Sequence, residues 1–542
     1  MPFLAKEKLS IPAADILSWA CAGPEYDENE PLYIDASNPS KVISAAQSKI
    51  LIRQLVAGFR HAGLEKGDTV LLHSFNNIYY PILTLGIIAF GGIMTGTNPS
   101  YTANELKHAL ETTRAKFILT EPELIGTVLS ASKMVSIPTN RVLSINSDNS
   151  SSSTISPWTT LLEHGEQDWL RFSSEKTSKK TIAMYLFSSG TTGLPKPAML
   201  SHYNLIAQHT LVYEHRPRPY PLTRLVALPM FHAATAPGTH ITPLRSGHKQ
   251  YIMRRFEASA FLNYCLRFSI TDLLLVPPLV TAMVSHPSTT PEKQSKLSTV
   301  RAAAVGAAPM DASMQSRFQA LLPPSAPFTQ MWGMTELSCF GSMFYYPDND
   351  ASGSVGQFLP NADVKLLDER GNDISGLGVR GELAVRAPNL VAGYLGVPRE
   401  RDFDAEGYFR TGDIMFCAEE TGLWYVVDRI KEMIKVRGFQ VAPAEIEGVL
   451  LDHPQILDVA VIGIRSPMGD SEMPRAYVVR KGGQENGLHE KEVFKWVEER
   501  LAKYKRLEGG VRFLDVIPKT PSGKILKREL RELAKKETAS KL

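Results

Sequence analysis

Short apolar runs of strand length alternate with helix-like stretches along most of this chain. The runs include residues 68–74 (DTVLLHS), 116–120 (KFILT), 224–230 (RLVALPM) and 269–278 (SITDLLLVPP), and residues 102–114 are typical of a helix. Strands that are joined by helices pair side by side in the same direction. The alternation therefore predicts an α/β fold whose sheets are largely parallel.

The chain is too long for a single hydrophobic core. With 542 residues, it exceeds the size at which chains divide into domains. After Asp428 and Arg429, a new pattern of strands and helices begins. We therefore predict a large N-terminal α/β domain over residues 1–428 and a small α+β domain over residues 429–542.

Composition and charge argue against several other classes of protein. The formal net charge of +3 and the pI of 8.4 are too mild for a nucleic-acid surface, so we expect no nucleic-acid partner. The most apolar stretch, residues 82–94, is too short to span a bilayer and predicts a buried helix instead. The cysteines are far apart in sequence, which favours a reducing compartment over a disulfide framework. They are Cys21, Cys265, Cys339 and Cys417.

The two ends of the sequence bear on location. The start, MPFLAKEKLSIP, lacks the apolar region and the cleavage site of a secretory signal. Ser540, Lys541 and Leu542 form the S-K-L sequence that a peroxisomal import receptor reads. We therefore expect import into the peroxisome.

The most specific local signal is the segment 187–196, FSSGTTGLPK, which follows a strand-like run. Its glycines allow backbone N–H groups to converge on an anion, and its hydroxyls and lysine add donors and positive charge. It lacks the Gly-Lys-Ser/Thr sequence of a Walker loop, which excludes a P-loop kinase. We predict that it binds nucleotide phosphates through Ser188, Ser189, Gly190, Thr191, Thr192, Gly193 and Lys196.

This segment resembles the phosphate loop of the acyl adenylate-forming (AMP-dependent synthetase/ligase) superfamily, which includes acyl-CoA synthetases, adenylation domains of peptide synthetases and firefly luciferase. Residues 66–76 (KGDTVLLHSFN), 98–106 (NPSYTANEL) and 517–530 (IPKTPSGKILKREL) also occur in the family's order. The chain is most similar to fungal peroxisomal ligases of the 4-coumarate–CoA ligase-like group. The resemblance implies a large α/β body and a small, mobile C-terminal domain.

Residues 330–336, QMWGMTE, resemble the adenine and magnesium segment of this family. The resemblance implies that Trp332 offers a flat face to adenine and that Glu336 and Thr192 bind Mg²⁺. Asp413 is similar to the carboxylate that accepts both ribose hydroxyls. The nucleotide-binding residues implied beyond the phosphate loop are Gln330, Trp332, Gly333, Thr335, Asp413 and Arg429.

The resemblance also assigns the catalytic residues. Attack of a carboxylate on the α-phosphate brings two anions together, so positive charge is needed where they meet. Lys524 matches the lysine that bridges the two, while Lys435 matches the lysine of the thioester-forming face. His232 is expected to position the carboxylate and guard the thiol path, and Lys431 matches the hinge. The residues expected to bind coenzyme A are Arg255, Arg437, Gly438 and Gln440.

The acyl pocket implied by the resemblance carries no charge, so we expect a mostly apolar monocarboxylic acid. Met331 stands where 4-coumarate–CoA ligases usually carry glycine, and its thioether reshapes the cavity. Pro197 stands where relatives commonly have glycine, which removes one backbone donor beside the phosphate loop. The expected pocket residues are Ala233, Ala234, Gly306, Ala307, Ala308 and Met331.

The predicted function is ATP-dependent acyl-CoA ligation, with ATP, Mg²⁺ and coenzyme A. A fatty, aromatic or secondary-metabolite acid reacts to acyl-AMP and pyrophosphate, and the coenzyme A thiol then displaces AMP. Three alternatives stay open: a stand-alone enzyme that loads a carrier protein, a luciferase-like oxidase, and an inactive relative that binds acyl nucleotides. The last is disfavoured because the lysines and carboxylates of the site are all present.

Overall fold

A computed structural model gives the arrangement of most of the chain. It describes residues 1–22, 26–145, 155–188, 195–430, 432–436, 439–465, 471–482, 487–520 and 523–539.

Within these ranges the α-helices are, in chain order, α1 (Ile16–Cys21), α2 (Ala45–His61), α3 (Tyr79–Phe90), α4 (Ala103–Thr113), α5 (Ile125–Met134), α6 (Glu175–Lys180), α7 (His202–His209), α8 (Thr242–Ser246), α9 (Ala258–Arg267), α10 (Pro277–Val284), α11 (Thr290–Lys296), α12 (Ala312–Gln319), α13 (Pro443–Leu451), α14 (Glu490–Glu498) and α15 (Lys527–Ala539).

The strands within the same ranges are β1 (Pro31–Asp35), β2 (Val42–Ser44), β3 (Thr69–His73), β4 (Ile93–Thr97), β5 (Ala115–Thr120), β6 (Val142–Ser144), β7 (Ile182–Ser188), β8 (Lys196–Ser201), β9 (Thr223–Val226), β10 (Lys249–Ile252), β11 (Asp272–Leu275), β12 (Ala302–Val305), β13 (Phe328–Gln330), β14 (Trp332–Met334), β15 (Cys339–Met343), β16 (Gln357–Phe358), β17 (Asp363–Leu367), β18 (Gly381–Arg386), β19 (Phe409–Cys417), β20 (Trp424–Arg429), β21 (Ile434–Val436), β22 (Phe439–Val441), β23 (Ile456–Arg465), β24 (Glu472–Arg480) and β25 (Val511–Phe513).

Two largely parallel sheets form the main body, as the sequence predicted. Their strand orders are β13-β12-β11-β9-β10-β1-β2 and β6-β5-β3-β4-β7-β8. The four apolar runs named above supply β3, β5, β9 and β11, all of which pair in parallel with a neighbour. Only the outer pairs β1–β2 and β7–β8 are antiparallel within the described parts of these two sheets.

Two antiparallel sheets complete the body. Strands β17-β18-β19-β20 form one of them, and β14-β15-β16 form the other. The segments after β7, β12 and β13 leave the carboxyl ends of parallel strands, which is where ligands bind in α/β folds. These segments contain the predicted phosphate loop and much of the predicted acyl pocket.

The C-terminal part has cores of its own. Strands β23, β24 and β25 form a sheet beside the β21–β22 hairpin. Its apolar clusters combine residues such as Val461, Val478 and Val493, or Ile462, Tyr477 and Leu530, without partners from the body. A large α/β body with a smaller C-terminal unit confirms the predicted fold class, and the boundary at residues 428 and 429 stays a prediction.

The predicted buried helix over residues 82–94 is correct in kind but wrong in its bounds. The helix is α3, which ends at Phe90 because Gly91 takes a left-handed φ of 94°. The last residues of the apolar run belong to the buried strand β4. Among the described residues, no helix has the length and apolarity to cross a membrane.

Candidate active site

The predicted phosphate loop connects β7 and β8 at the edge of a parallel sheet. Ser188 and Lys196 face each other across this antiparallel pair, and Pro197 faces Phe187. Pro197 is tolerated there because β8 is the outer strand of its sheet, where the missing N–H breaks no bond to a further strand. The Pro197 carbonyl accepts a hydrogen bond from Leu395 N. The pairing fixes the two ends of the loop.

Most of the loop itself lies outside the described residues, as do several other predicted site residues. These are Ser189, Gly190, Thr191, Thr192, Gly193, Lys431, Arg437, Gly438, Ser540, Lys541 and Leu542.

Glu336 is a buried carboxylate that a tyrosine holds in place. It lies in a short 3-10 turn after β14, with 3% of its surface exposed. The Tyr394 hydroxyl forms a short hydrogen bond to Glu336 Oε1 and another with the Ser188 side chain. Burial and the Glu336 carboxylate raise the pKa of Tyr394, so its hydroxyl stays protonated and donates. Sequence reasoning did not find Tyr394, because it lies outside the motifs.

Tyr394 is carried by a segment that extends the phosphate-loop sheet. Met199 in β8 donates its N–H to Gly393 and accepts from Ala392, and Ala198 bridges to Tyr394. The segment therefore ties the base of the phosphate loop to the position of Glu336.

Asp413 uses both of its carboxylate oxygens on predicted site residues. Its Oδ2 accepts from Trp332 Nε1 at 2.9 Å, and its Oδ1 lies 2.9 Å from Arg429 Nε. Asp413 and Arg429 are cross-strand partners in β19 and β20, so the sheet register places them together. Asp413 raises the pKa of Arg429, against the effect of burial.

The Trp332 side chain is fixed by packing and by a hydrogen bond within the protein. The indole is 6% exposed and packs edge-on against Phe358, with ring centroids 5.9 Å apart. Its Nε1–H group donates the hydrogen bond to Asp413 Oδ2. Stacking on adenine stays a prediction, and the structure adds that the indole holds Asp413, the carboxylate predicted to bind the ribose.

The Gln330 side chain is hydrogen-bonded within the protein. We predicted a nucleotide contact, but its Nε2 donates to the Met310 carbonyl at 2.9 Å and to Gln315 Oε1 at 3.0 Å, and its Oε1 accepts from Met310 N. Because both N–H bonds are used within the protein, the side chain has no donor left for a nucleotide. Gln330 instead holds the segment that carries Gly306, Ala307 and Ala308.

The predicted catalytic lysine reaches the site on a turn of the C-terminal tail. Lys524 N donates to Thr520 Oγ1, and Thr520 N donates to the Lys524 carbonyl. Gly523 forms the turn with a φ of 84° and lies directly against the body. A Cβ on Gly523 would come within 2.6 Å of Cδ and Cγ of Pro278, so only glycine fits this contact.

The environment of Lys524 joins residues that are distant in sequence. Burial, followed by the positive charge of Arg429, lowers the pKa of Lys524, while Glu432, Asp413 and Glu336 oppose that shift. All four are close enough to act on its charge. The tail therefore brings Lys524 to the same place as the carboxylates of the predicted nucleotide site.

Lys435 lies elsewhere in this arrangement. It is an exposed residue of β21, and its backbone N–H donates to Glu472. Among the described contacts, none joins it to Lys524, Asp413 or Glu336. Gln440 is its cross-strand partner in β22.

Arg255, predicted to bind coenzyme A, lies on the body. Its Nη2 is 3.1 Å from Glu123, and its guanidinium lies 3.8 Å from the Phe75 ring centroid. A phosphate that bound here would compete with Glu123 for the guanidinium.

His232 is neutral in the folded protein. It lies in a turn where its Nδ1 accepts from Ala234 N at 3.2 Å, and burial lowers its pKa to about 4. The remaining proton is therefore on Nε2, which leaves that atom as a donor. A neutral imidazole suits the predicted positioning role better than a charge-stabilising one.

Of the six predicted acyl-pocket residues, Ala234 and Met331 line two adjoining cavities, whereas the linings of these cavities do not include Ala233, Gly306, Ala307 or Ala308. One, of about 30 Å³, is lined by Ala234, and the other, of about 500 Å³, is lined by Met331. The Met331 side chain covers Gly306, whose missing Cβ would lie 2.9 Å from Met331 Cγ. Ala307 is held at a φ of 71°, the kind of strained backbone found at functional sites.

A magnesium ion fits Glu336 only together with a nucleotide. Within the described ranges, no group of three histidine, cysteine or acidic side chains is placed to hold a metal. One buried carboxylate beside a phosphate loop matches the way Mg²⁺ binds through one or two carboxylates and substrate phosphates.

The predicted phosphate loop, ribose carboxylate and metal carboxylate, together with the lysine of the C-terminal tail, are typical of an ATP-using, adenylate-forming enzyme. A family model described as AMP-binding enzyme matches residues 25–395, and another, AMP-binding enzyme C-terminal domain, matches residues 445–524. The chain belongs to the AMP-binding enzyme family. This membership makes it an acid–thiol ligase that works through an acyl adenylate, which confirms the class predicted from the sequence.

Individual relatives agree with this placement. A phenylacetyl-CoA ligase from Aspergillus niger is 49% identical, covering 98% of this chain and 99% of its own. A nicotinic acid-CoA ligase from Penicillium canescens is 40% identical, covering 97% and 98%. The structure of an anthranilate CoA ligase in complex with anthranoyl-AMP has a TM-score of 0.84 at 22% identity, covering 98% and 99%, and shares the fold.

Proposed function

We propose that this ligase activates a small, largely apolar monocarboxylic acid and transfers it to coenzyme A. Lys524 carries the proposal, because the tail brings this half-buried lysine close enough to Glu336, Asp413 and Arg429 for their charges to act on it. There its ammonium group offsets charge where a carboxylate attacks the α-phosphate, while Asp413 holds the ribose. Lys435 serves the thioester step after the small domain turns about Lys431.

Separate half-reactions test this division of labour. In Lys524→Ala, adenylate formation, measured as ATP–pyrophosphate exchange, should fall about 100-fold or more, since one preorganised charge is lost. Thioester formation from synthetic acyl-AMP and coenzyme A should persist. Lys435→Ala should do the reverse. Lys535→Ala is the matched control, because its side chain is 72% exposed and pairs only with Glu532 among the described residues. Equal losses in both half-reactions for both variants would contradict the assignment.

Magnesium is proposed to bind between Glu336 and the nucleotide phosphates. When bound, the ion would offset phosphate charge. Glu336→Gln keeps the size of the side chain and removes its charge. We expect the apparent Mg²⁺ concentration for half-maximal ATP binding to rise, measured by nucleotide fluorescence without turnover. An unchanged magnesium dependence would exclude Glu336 as the ligand.

The larger cavity, of about 500 Å³, has room for an arylalkanoic or medium-chain acid. The walls of the two cavities include Leu274, Phe340, Ala234 and Met331, together with the charged Arg224 and Asp272. The named relatives act on phenylacetic and nicotinic acids, which are of this size. Purified protein with ATP, Mg²⁺ and a panel of acids, scored for AMP and acyl-CoA, identifies the substrate class. Adenylate without thioester would move the acceptor to a carrier protein.

We also propose that the enzyme acts in the peroxisome, on the basis of Ser540, Lys541 and Leu542. A fluorescent protein fused to the N-terminus should give punctate fluorescence that overlaps a peroxisomal marker. Deletion of the three residues should make it diffuse. Punctate fluorescence after the deletion would refute this route.

A further inference from the structure

Three polar side chains cross the middle of the parallel sheet beside the acyl cavities. Arg224 of β9 is the register partner of Gln250 in β10 and of Asp272 in β11. Register partners on neighbouring strands project to the same face of a sheet. Central strands of parallel sheets are usually apolar on both faces, so this polar row (Gln250, Arg224 and Asp272) is unusual.

The row borders both cavities. Arg224 and Asp272 line the smaller and the larger cavity, and Gln250 lines the smaller one. The smaller cavity also reaches Ala234, two residues after His232, and so adjoins the predicted reaction centre. Gly238 leaves room here, because a Cβ on it would lie 3.2 Å from Tyr213 Oη and 3.7 Å from Arg224 Nη1.

Two π-helical turns also surround this region. They span Thr210–Glu214 and Pro237–Ile241, and residues from both line the smaller cavity. Such turns are rare and frequently mark functional sites.

Arg224 supplies hydrogen-bond donors that the protein uses only in part. Its Nη1 donates to Tyr213 Oη at 2.9 Å, and its guanidinium lies 4.9 Å from that ring centroid. In the part of the chain that the structure describes, no ion pair within 4 Å joins Arg224 to a carboxylate. Asp272 instead pairs through Oδ1 with Arg218 Nε at 3.1 Å.

The two ends of the row supply buried acceptors. Gln250 is fully buried and Asp272 is 5% exposed. Among the described residues, Gln250 Oε1 has no hydrogen-bond partner, and Asp272, beyond its pair with Arg218, has the Tyr220 hydroxyl beside it. Buried polar atoms left unpaired are costly, so a ligand that pairs with them is favoured.

We propose that the substrate is a hydroxy acid whose hydroxyl, at the end away from the reacting carboxylate, binds the row of Gln250, Arg224 and Asp272. This inference rests on the proposed ligase function and names its substrate class. A hydroxyl accepts from the Arg224 guanidinium and donates to Gln250 Oε1 or Asp272 Oδ2. A second carboxylate could pair with Arg224, but it would lie beside the Asp272 carboxylate and has no proton to donate to Gln250 Oε1 or Asp272. A methyl or phenyl end would leave the row unpaired.

Matched pairs of acids test the proposal on the full-length enzyme. We would measure kcat/KM for pyrophosphate release with phenylacetic and 4-hydroxyphenylacetic acids, 3-phenylpropanoic and 3-(4-hydroxyphenyl)propanoic acids, and octanoic and 8-hydroxyoctanoic acids. Octanedioic acid tests the second carboxylate. In at least one pair the hydroxylated acid should be preferred by about tenfold or more, because the site is built to pair with it.

Variants then test whether the preference for hydroxylated acids depends on the polar row. Arg224→Met should reduce the preference about tenfold while activity on the apolar partner persists, and that activity shows that the variant folds. Tyr213→Phe and Gly238→Ala make smaller changes next to Arg224. If Arg224→Met does not fold, a reduced preference for the hydroxylated acid in these two variants is the test. Arg317→Met is the control, because Arg317 is exposed and does not line the cavities.

The outcomes separate this inference from the function beneath it. Activity without a preference for the hydroxyl, a preference for octanedioic acid, or a preference that survives these variants would overturn the hydroxy-acid proposal alone. No activity with any acid would overturn the ligase function and this substrate with it.

Discussion

Replacement of Gly523 by alanine tests whether the docked tail is the state that forms the adenylate. Two features of Gly523 oppose a side chain: its φ of 84°, and the 2.6 Å that would separate the new Cβ from Cδ and Cγ of Pro278. The backbone strain belongs to the turn and persists wherever the tail goes. The contact with Pro278 exists only while the tail is docked on the body.

The contact sets the size of the expected effect. Carbon atoms pack at about 3.5–4.0 Å, so the turn and α10 would have to separate by roughly 1 Å. Overpacking of this kind costs about 1–3 kcal/mol. If that cost falls on the docked state alone, adenylate formation should slow about 5- to 150-fold. Thioester formation from synthetic acyl-AMP should be nearly unchanged.

The assay compares ATP–pyrophosphate exchange with conversion of synthetic acyl-AMP to acyl-CoA. Gly510→Ala is the matched control for strain, since Gly510 has a φ of 90° with nothing within 4 Å of its missing Cβ. Pro278→Ala removes the atoms that the new Cβ would meet, so it should restore part of the lost rate in combination with Gly523→Ala. Equal slowing of both half-reactions, or no restoration in the double variant, would refute the reasoning.

Three further predictions follow from single contacts. Tyr394→Phe frees Glu336 from its hydroxyl partner and should weaken apparent magnesium affinity several-fold, with nucleotide binding in excess Mg²⁺ little changed; calorimetric titration measures both. Burial and a neighbouring cation lower the pKa of Lys524, so the rate of adenylate formation should fall as pH rises through that pKa. Lys524→Arg should move this fall to higher pH. A fall at the same pH in the variant would show that another group causes it. Burial raises the pKa of Asp428 from 3.8 to about 6, so the folded state keeps the proton of this carboxyl to a higher pH than the unfolded state does. The free energy of unfolding should therefore decrease as pH rises between these two values. Asp428→Asn should lack that loss, and urea unfolding of both proteins at pH 4.5 and 7 would show whether the difference changes.

Features set by local sequence were predicted well. The apolar runs gave β3, β5, β9 and β11, and the stretch 102–114 gave α4, whose ends are fixed by a capping box at Thr102 and a left-handed Arg114. The resemblance selected Glu336, Asp413, Arg429 and Lys524, which the fold brings together. Each of these predictions depended on a continuous segment of sequence.

Features set by contacts between distant segments were missed. Tyr394 binds Glu336 only because residues 392–395 extend the sheet beside β8. Nothing in the segment around Arg224 reveals that Gln250 and Asp272 share its face, since that depends on the register of three separate strands. The internal hydrogen bonds of Gln330 were missed for the same reason, because its partners Met310 and Gln315 lie on another segment.

The extension of β8 by residues 392–395 has a consequence for how the enzyme divides its tasks. It joins the phosphate-loop sheet to Tyr394, whose ring lies 6.4 Å from Phe409 at the start of β19, the strand that carries Asp413. The residues predicted to bind the triphosphate and those predicted to bind the ribose thus belong to one continuous scaffold. Lys524, the predicted catalytic lysine, arrives instead from the C-terminal tail. We therefore expect nucleotide binding to depend on the body, and the reaction of the bound nucleotide to depend on the tail.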